Sequence, residues 1–270
     1  MIVLPFDPVA VHLGPLVLAW HGIFSAAGIL SGLWLAAWLA PAGGVAPDAV
    51  WDAAWWVIGL GAAGARLLFA AEHPPLFVGE PWRLLLVNEG GISVFGAVLG
   101  GLAGGAIAAR RAGLSATRLL DAIAPGFLLG QAIGRIGDVI NGEHLGKHAP
   151  GLPWAVMYTH PNTLGEMGVP VHPAVAYELL WDLAAAAAVV WLLRRWRRPP
   201  GGALWAALLL YGLGRLWIGF FRLDQRVALG LGLAQLIGLS AVPVALAGLL
   251  WTLRTGRRAS RQLNTSAAGH

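Results

Sequence analysis

Apolar residues run through this chain in long unbroken stretches, separated by short segments where prolines, glycines and charges collect. Seven stretches reach the roughly 20 residues that a helix needs to cross a bilayer. They cover about residues 16–39, 50–71, 91–109, 119–140, 173–193, 203–221 and 229–253. Runs that are apolar all round predict membrane helices rather than amphipathic ones. Between them, 41–47 reads as a Pro- and Gly-rich turn, and 72–89 as a polar, proline-containing loop. The 141–171 segment is long enough to form a small extracytoplasmic cap between spans four and five, and 259–270, small and polar, predicts a disordered tail. The pattern therefore predicts an all-α polytopic membrane protein, a single seven-span domain over 1–258.

The arginines orient it. Arg110, Arg111 and Arg118 fall between spans three and four, Arg194, Arg195, Arg197 and Arg198 between five and six, and Arg254, Arg257, Arg258 and Arg261 after span seven. Short basic loops mark the cytoplasmic side. Seven spans put all three segments there, with the N-terminus outside, the C-terminus in the cytoplasm and the 141–171 cap at the outer face.

Composition agrees: 57% of residues are hydrophobic and 11% charged, against about a quarter charged in soluble domains. A net charge of +5 would suit a nucleic-acid partner, but clustering of the arginines in short loops points to membrane topology instead. The chain has no cysteine, which excludes disulfides, thiolate metal sites and a cysteine nucleophile of its own.

Candidate chemistry lies where polar residues enter the spans. The chain's most telling stretch, residues 130–146, passes from apolar, glycine-rich helix into Arg135, Asp138, Asn141, Glu143 and His144. A charge at the centre of a membrane helix costs about 2.5–3.5 kcal/mol on insertion scales, so these residues need a function or a partner. In span six, Tyr211, Arg215 and Arg222 fall within about 40° of one another at helical spacing. A tyrosine and two guanidiniums on one stripe, with Arg135 added, suit a phosphate near the outer leaflet. Glu178, a turn and a half into span five, reads as the structural counter-charge for an arginine. His21, beside Trp20 at the outer end of span one, is either an interfacial anchor or a general base. His144, His148 and His160 match no metal-ligand spacing, so neither a metal nor any other cofactor is expected.

In these residues the chain resembles the prolipoprotein diacylglyceryl transferases. Arg66 stands where that family has an arginine in span two, and Gly90-Gly91-Ile92-Ser93 matches its GG-x-S. Gly134-Arg135-Ile136-Gly137 with Asn141-Gly142-Glu143 matches GR-x-GN-x-x-NGE. His172-Pro173 with Tyr177-Glu178 matches HP-x-x-x-YE, and Tyr211-Gly212, Arg215 and Phe220-Phe221-Arg222 match the span-six motif. The resemblance implies a bacterial inner-membrane enzyme. It would move the diacylglyceryl group of phosphatidylglycerol to the lipobox cysteine of a signal-peptide-bearing prolipoprotein and release glycerol phosphate. It implies phosphate or glycerol binding by Arg135, Arg215, Arg222, Asn141, Tyr177, Tyr211 and Arg66, while the catalytic candidates read from this chain's own residues are His21, Asp138 and Glu143. The partners would be those two substrates and the bilayer, with no nucleic acid.

Four positions depart from the pattern. Phe95 stands where many members carry a histidine, Asp138 replaces an asparagine, His21 a tyrosine and Gly219 an acid. The alternative is a non-catalytic relative that binds phospholipid or a signal peptide.

Overall fold

The computed structural model describes residues 1–14, 16–85, 91, 93–195 and 200–267. Gly90 and Ile92 of the GG-x-S match, Arg197 and Arg198 of the basic loop and residues 268–270 of the expected tail lie outside them, as do the side chains of Phe95, Arg257, Arg258 and Arg261. Seven helices form among the described residues: α1 (Trp20–Leu39), α2 (Pro47–Glu72), α3 (Val94–Arg111), α4 (Ala116–Asn141), α5 (Ala174–Arg195), α6 (Gly202–Ile218) and α7 (Leu233–Ala267).

Six of these are long and apolar enough to cross a membrane by length and composition. The exception is α3, expected as span three: it has 18 residues, five of them glycine, and ends in Arg110 and Arg111. The expected all-α fold also carries three two-stranded ribbons. β1 (Ile2–Leu4) pairs in parallel with β4 (Val156–Tyr158), β2 (Val9–Leu13) antiparallel with β3 (Leu16–Ala19), and β5 (Arg226–Ala228) antiparallel with β6 (Leu231–Gly232). Strand β3 takes the first residues expected in span one, so α1 starts only at Trp20.

The chain divides into two compact units, Met1–Ala36 with Ile123–His270, and Ala37–Ala122. In the first, α1 and α4 pack backbone to backbone. A Cβ on Gly28 or Gly32 of α1 would strike the carbonyl of Gly130 or Gly126 of α4, each pair of glycines being four residues apart on its own helix. Small residues at this spacing let membrane helices approach closely where no hydrophobic effect drives them together. Ala124 and Leu128 of α4, Ala185, Ala186 and Val189 of α5, and Ala203 and Ala207 of α6 make a second tight core. The second unit repeats the device, with Gly96, Gly100 and Gly104 of α3 lying against the backbone of Gly64, Leu60 and Trp56 of α2.

The molecule is apolar outward. Trp34, Trp55, Trp191, Trp217 and Trp251 are exposed, whereas Arg135, Asp138, Asn141, Glu178, Asp182 and Arg222 are buried. That inversion of the soluble pattern fits hydrocarbon as the solvent. The 141–171 cap is built on β4, where Val156, Tyr158 and Val171 form a small core with Leu4 and Val169 against it.

Candidate active site

Backbone hydrogen bonds gather the polar ends of three helices. Just after α4, Lys147 N–H donates to the Phe221 carbonyl and Leu145 accepts from Leu223 N–H, both at 2.8 Å. On the other side, His172 N–H donates to the Lys147 carbonyl at 2.8 Å. Residues 145–147 thus link the segment after α6 to the start of α5. Gly146 is required here, since a Cβ would collide with the His172 carbonyl.

Glu178 stands at the centre, 4% exposed. Its Oε1 accepts from NH1 of Arg215 and NH1 of Arg222, each at 2.9 Å. Arg135 NH2 lies 2.7 Å from Oε2, but off the hydrogen-bond line, so this oxygen keeps no hydrogen-bond partner among the described residues. The expected counter-charge therefore faces three arginines rather than one. Arg215 also donates through Nε to the Tyr211 hydroxyl at 3.0 Å, its guanidinium 5.2 Å from the centre of that ring. Arg222 is not on the span-six stripe: α6 ends at Ile218, a 3-10 turn covers Gly219–Phe221, and Arg222 is extended. It reaches Glu178 from there, and Asp224 grips it in bidentate fashion at 2.8 and 3.0 Å. Carboxylate pairing raises the Arg222 pKa against the opposing effect of burial.

A second chain of contacts leaves Arg135 toward α1. Its NH1 donates to Asp138 Oδ2 at 2.6 Å, and Asp138 Oδ1 lies 2.5 Å from Nδ1 of His21. His21 Nε2 is 3.5 Å from the Ser25 hydroxyl, and Glu143 Oε1 is 3.7 Å from Nδ1. Asn141 donates to Glu143 at 3.0 Å. Gly137 makes the approach possible, because a Cβ there would stand 2.6 Å from Cα of His21. His21, Asp138 and Glu143 have ligand atoms within 4.8 Å of one another, close enough to bracket a cation. Both Asp138 oxygens are committed, however, to His21 and Arg135, and Glu143 Oε1 takes the Asn141 amide. The array is a hydrogen-bonded network.

Among the described residues, Arg135 Nε and Asn141 Oδ1 are also buried without a hydrogen-bond partner, which is unusual, since buried polar groups are nearly always satisfied. One donor and one acceptor suit a ligand that has both an anionic oxygen and a hydroxyl. Tyr177 is engaged at the rim, its hydroxyl accepting from Trp154 Nε1 at 2.8 Å with His172 Nδ1 at 3.4 Å.

His144, which the sequence marks in this stretch without assigning it a role, follows Glu143 in a left-handed backbone conformation, φ 55°. Loss of hydration on its inner side, then the charges of Arg222 and Arg135, lower its pKa. Asp224 likewise carries no signal in the sequence, although it stands two residues from its arginine. Arg66 belongs to the second unit, where its guanidinium holds the loop carbonyls of Leu84 and Gly91 at 3.1 and 2.7 Å and that of Arg83. Ser93 in the same unit donates to Glu72 at 3.1 Å.

A family model described as "Prolipoprotein diacylglyceryl transferase" matches residues 8–251. Three similar proteins are named phosphatidylglycerol–prolipoprotein diacylglyceryl transferase. The one from Gloeobacter violaceus is 36% identical over 94% of this chain and 95% of its own length. That from Synechococcus elongatus is 33% identical over 90% and 86%, and that from Paenarthrobacter aurescens 36% over 80% and 72%.

Proposed function

The chain belongs to the prolipoprotein diacylglyceryl transferase family, and we propose that it carries out that transfer as a multi-pass enzyme of the bacterial inner membrane. The substrates are phosphatidylglycerol and a signal-peptide-bearing prolipoprotein. The lipobox sulfur attacks the glyceryl carbon that bears the phosphate ester, a C–S bond forms, and the C–O bond breaks with its electron pair leaving on glycerol phosphate. A chain without cysteine is compatible with this, because the nucleophile belongs to the substrate.

The observation that carries the reading is the convergence of Arg135, Arg215 and Arg222 on Glu178. Guanidiniums preorganised around one point stabilise charge that develops on a leaving phosphate. Tyr211 is within reach of that phosphate through Arg215, while Asn141 and Glu143 are suited to the glycerol hydroxyls and Tyr177 to the rim of the site. His21, Asp138 and Glu143 are the acid–base candidates. Arg66 organises its own loop in this reading rather than contacting the lipid. The N-terminus and the 141–171 cap face outward, so the cluster meets the outer leaflet, where a secreted precursor emerges.

The test uses purified protein, phosphatidylglycerol and a synthetic lipobox peptide, with mass spectrometry for the added diacylglyceryl mass. Addition is expected for the native chain and a loss of at least about 100-fold for Arg135→Ala, the scale seen when one preorganised donor is removed. Phosphatidylglycerol retained through Arg135 without any addition would identify a lipid-binding relative instead.

A further inference from the structure

Two of the positions at which this chain departs from its family's pattern touch each other. His21 and Asp138 are 117 residues apart in sequence, yet their side chains meet at 2.5 Å. Each is held independently. Asp138 is 4% exposed and fixed from its other oxygen by Arg135; His21 is seated with its backbone against Gly137. The imidazole itself remains 45% exposed. An ionised Asp138 can only accept, so Nδ1 carries a proton, and in the neutral imidazole it is Nε2 that presents the lone pair. Nε2 stands 3.5 Å from the Ser25 hydroxyl, at the outer limit of a hydrogen bond.

From this geometry we infer that His21 is the proton acceptor for the lipobox thiol and that Asp138 is the positioning residue that fixes its tautomer. The inference rests on the transferase reading and names the base within it. Phe95, where the resemblance leads one to expect a histidine, has no lone pair to offer; the His21–Asp138 pair supplies the function from α1 and α4. The thiol proton passes to Nε2, the sulfur pair attacks the glyceryl carbon, and the C–O pair departs on the phosphate oxygen. His21 then returns its proton to water. Because Arg135 bonds Asp138 and faces Glu178, the base and the phosphate-binding cluster share one residue.

Thiol activation has a signature that a structural role lacks. A cysteine thiol ionises unaided near pH 8.5, so a missing base matters less in alkali. His21→Gln is expected to lose about 100-fold in kcat at pH 7, the typical worth of a general base. Its KM for phosphatidylglycerol should stay within about 2-fold, and most of the kcat loss should disappear by about pH 9.5. Imidazole should restore part of the activity of His21→Ala. Asp138→Asn can still accept from Arg135 but offers Nδ1 an amide donor, so it should show the same pH-dependent loss, smaller in size. The charged groups facing His21 are Asp138 and Glu143, with Arg135 behind Asp138, so Glu143→Gln serves as the parallel control. Alkaline recovery in Glu143→Gln and none in His21→Gln would move the base to Glu143. A His21→Gln enzyme within 2-fold of the native rate at pH 7, or one equally impaired at every pH, overturns the inference and leaves the transferase reading standing. A native chain that lipidates no peptide sinks that reading itself.

Discussion

Glu178 is the residue on which the arginines depend. Removing one partner of a buried ionic group leaves the others uncompensated, at a cost of about 3–5 kcal/mol. Glu178→Gln keeps the shape but removes the charge that faces Arg135, Arg215 and Arg222. Its thermal midpoint in detergent should fall by several degrees, and phosphatidylglycerol should recover part of the loss by supplying the missing anion. His144 makes a different prediction. Burial and the neighbouring arginines hold its pKa below the ordinary value, so the folded state takes up a proton less readily than the unfolded chain. Its contribution to stability is complete above the unfolded pKa of about 6.5 and is lost as pH falls through that value toward the folded one. His144→Asn retains a residue tolerant of the left-handed backbone and cannot titrate. Its thermal midpoint should fall less between pH 7 and pH 5 than that of the native protein.

At the scale of elements, the geometry of the candidate site is set by glycine contacts between helices. Gly137 brings α4 against the backbone of His21. Gly137→Ala should push α1 away by part of an ångström, and misplacements near 1 Å can cost about 100-fold. We expect kcat to drop toward that figure with the helical circular dichroism unchanged; full activity would mean that the contact at Gly137 is unimportant to catalysis. The helices themselves were legible in the sequence, because runs of about 20 apolar residues have few alternatives. The departures have local causes. β3 is as apolar as the helix it precedes, and the break before it is marked by Gly14-Pro15, a turn dipeptide whose glycine has φ 60°. Arg222 lies on the helical stripe only if α6 continues, and α6 stops at Ile218. The convergence of Arg135, Arg215 and Glu178 was foreseeable from charge balance, since an arginine buried in a span calls for an acid. The His21–Asp138 contact was not, because it depends on which face of α1 meets α4. Nor did any spacing mark Arg66 as a ligand of loop carbonyls.

At the scale of the whole molecule, orientation decides whether the chemistry can occur. In the proposed transfer the lipobox cysteine arrives at the outer leaflet, so the cap and the ends of α4 and α5 nearest it must face outward. In that reading the loop between α3 and α4, flanked by Arg110 and Arg111 at the end of α3 and Arg118 at the start of α4, must face the cytoplasm. The chain has no cysteine of its own, so single cysteines report position without background. Gly151, in the cap, has ordinary backbone angles, and a side chain added there would begin in open space, its Cβ meeting nothing within 4 Å. Ser115 closes the loop before α4, and among the described residues its hydrogen bonds go to the neighbouring Thr117, Arg118 and Leu119. In intact spheroplasts, a membrane-impermeant maleimide should label Gly151→Cys and leave Ser115→Cys unmodified until the membrane is opened. The basic loops favour that result, since Lys and Arg near span ends are retained on the cytoplasmic side. Labelling of Ser115→Cys alone would invert the protein and put the arginine cluster on the side where no secreted thiol arrives. Labelling of both would mean that α4, the helix that separates the two positions, does not cross, and that the basic loop before it lies outside against the rule that orients the rest.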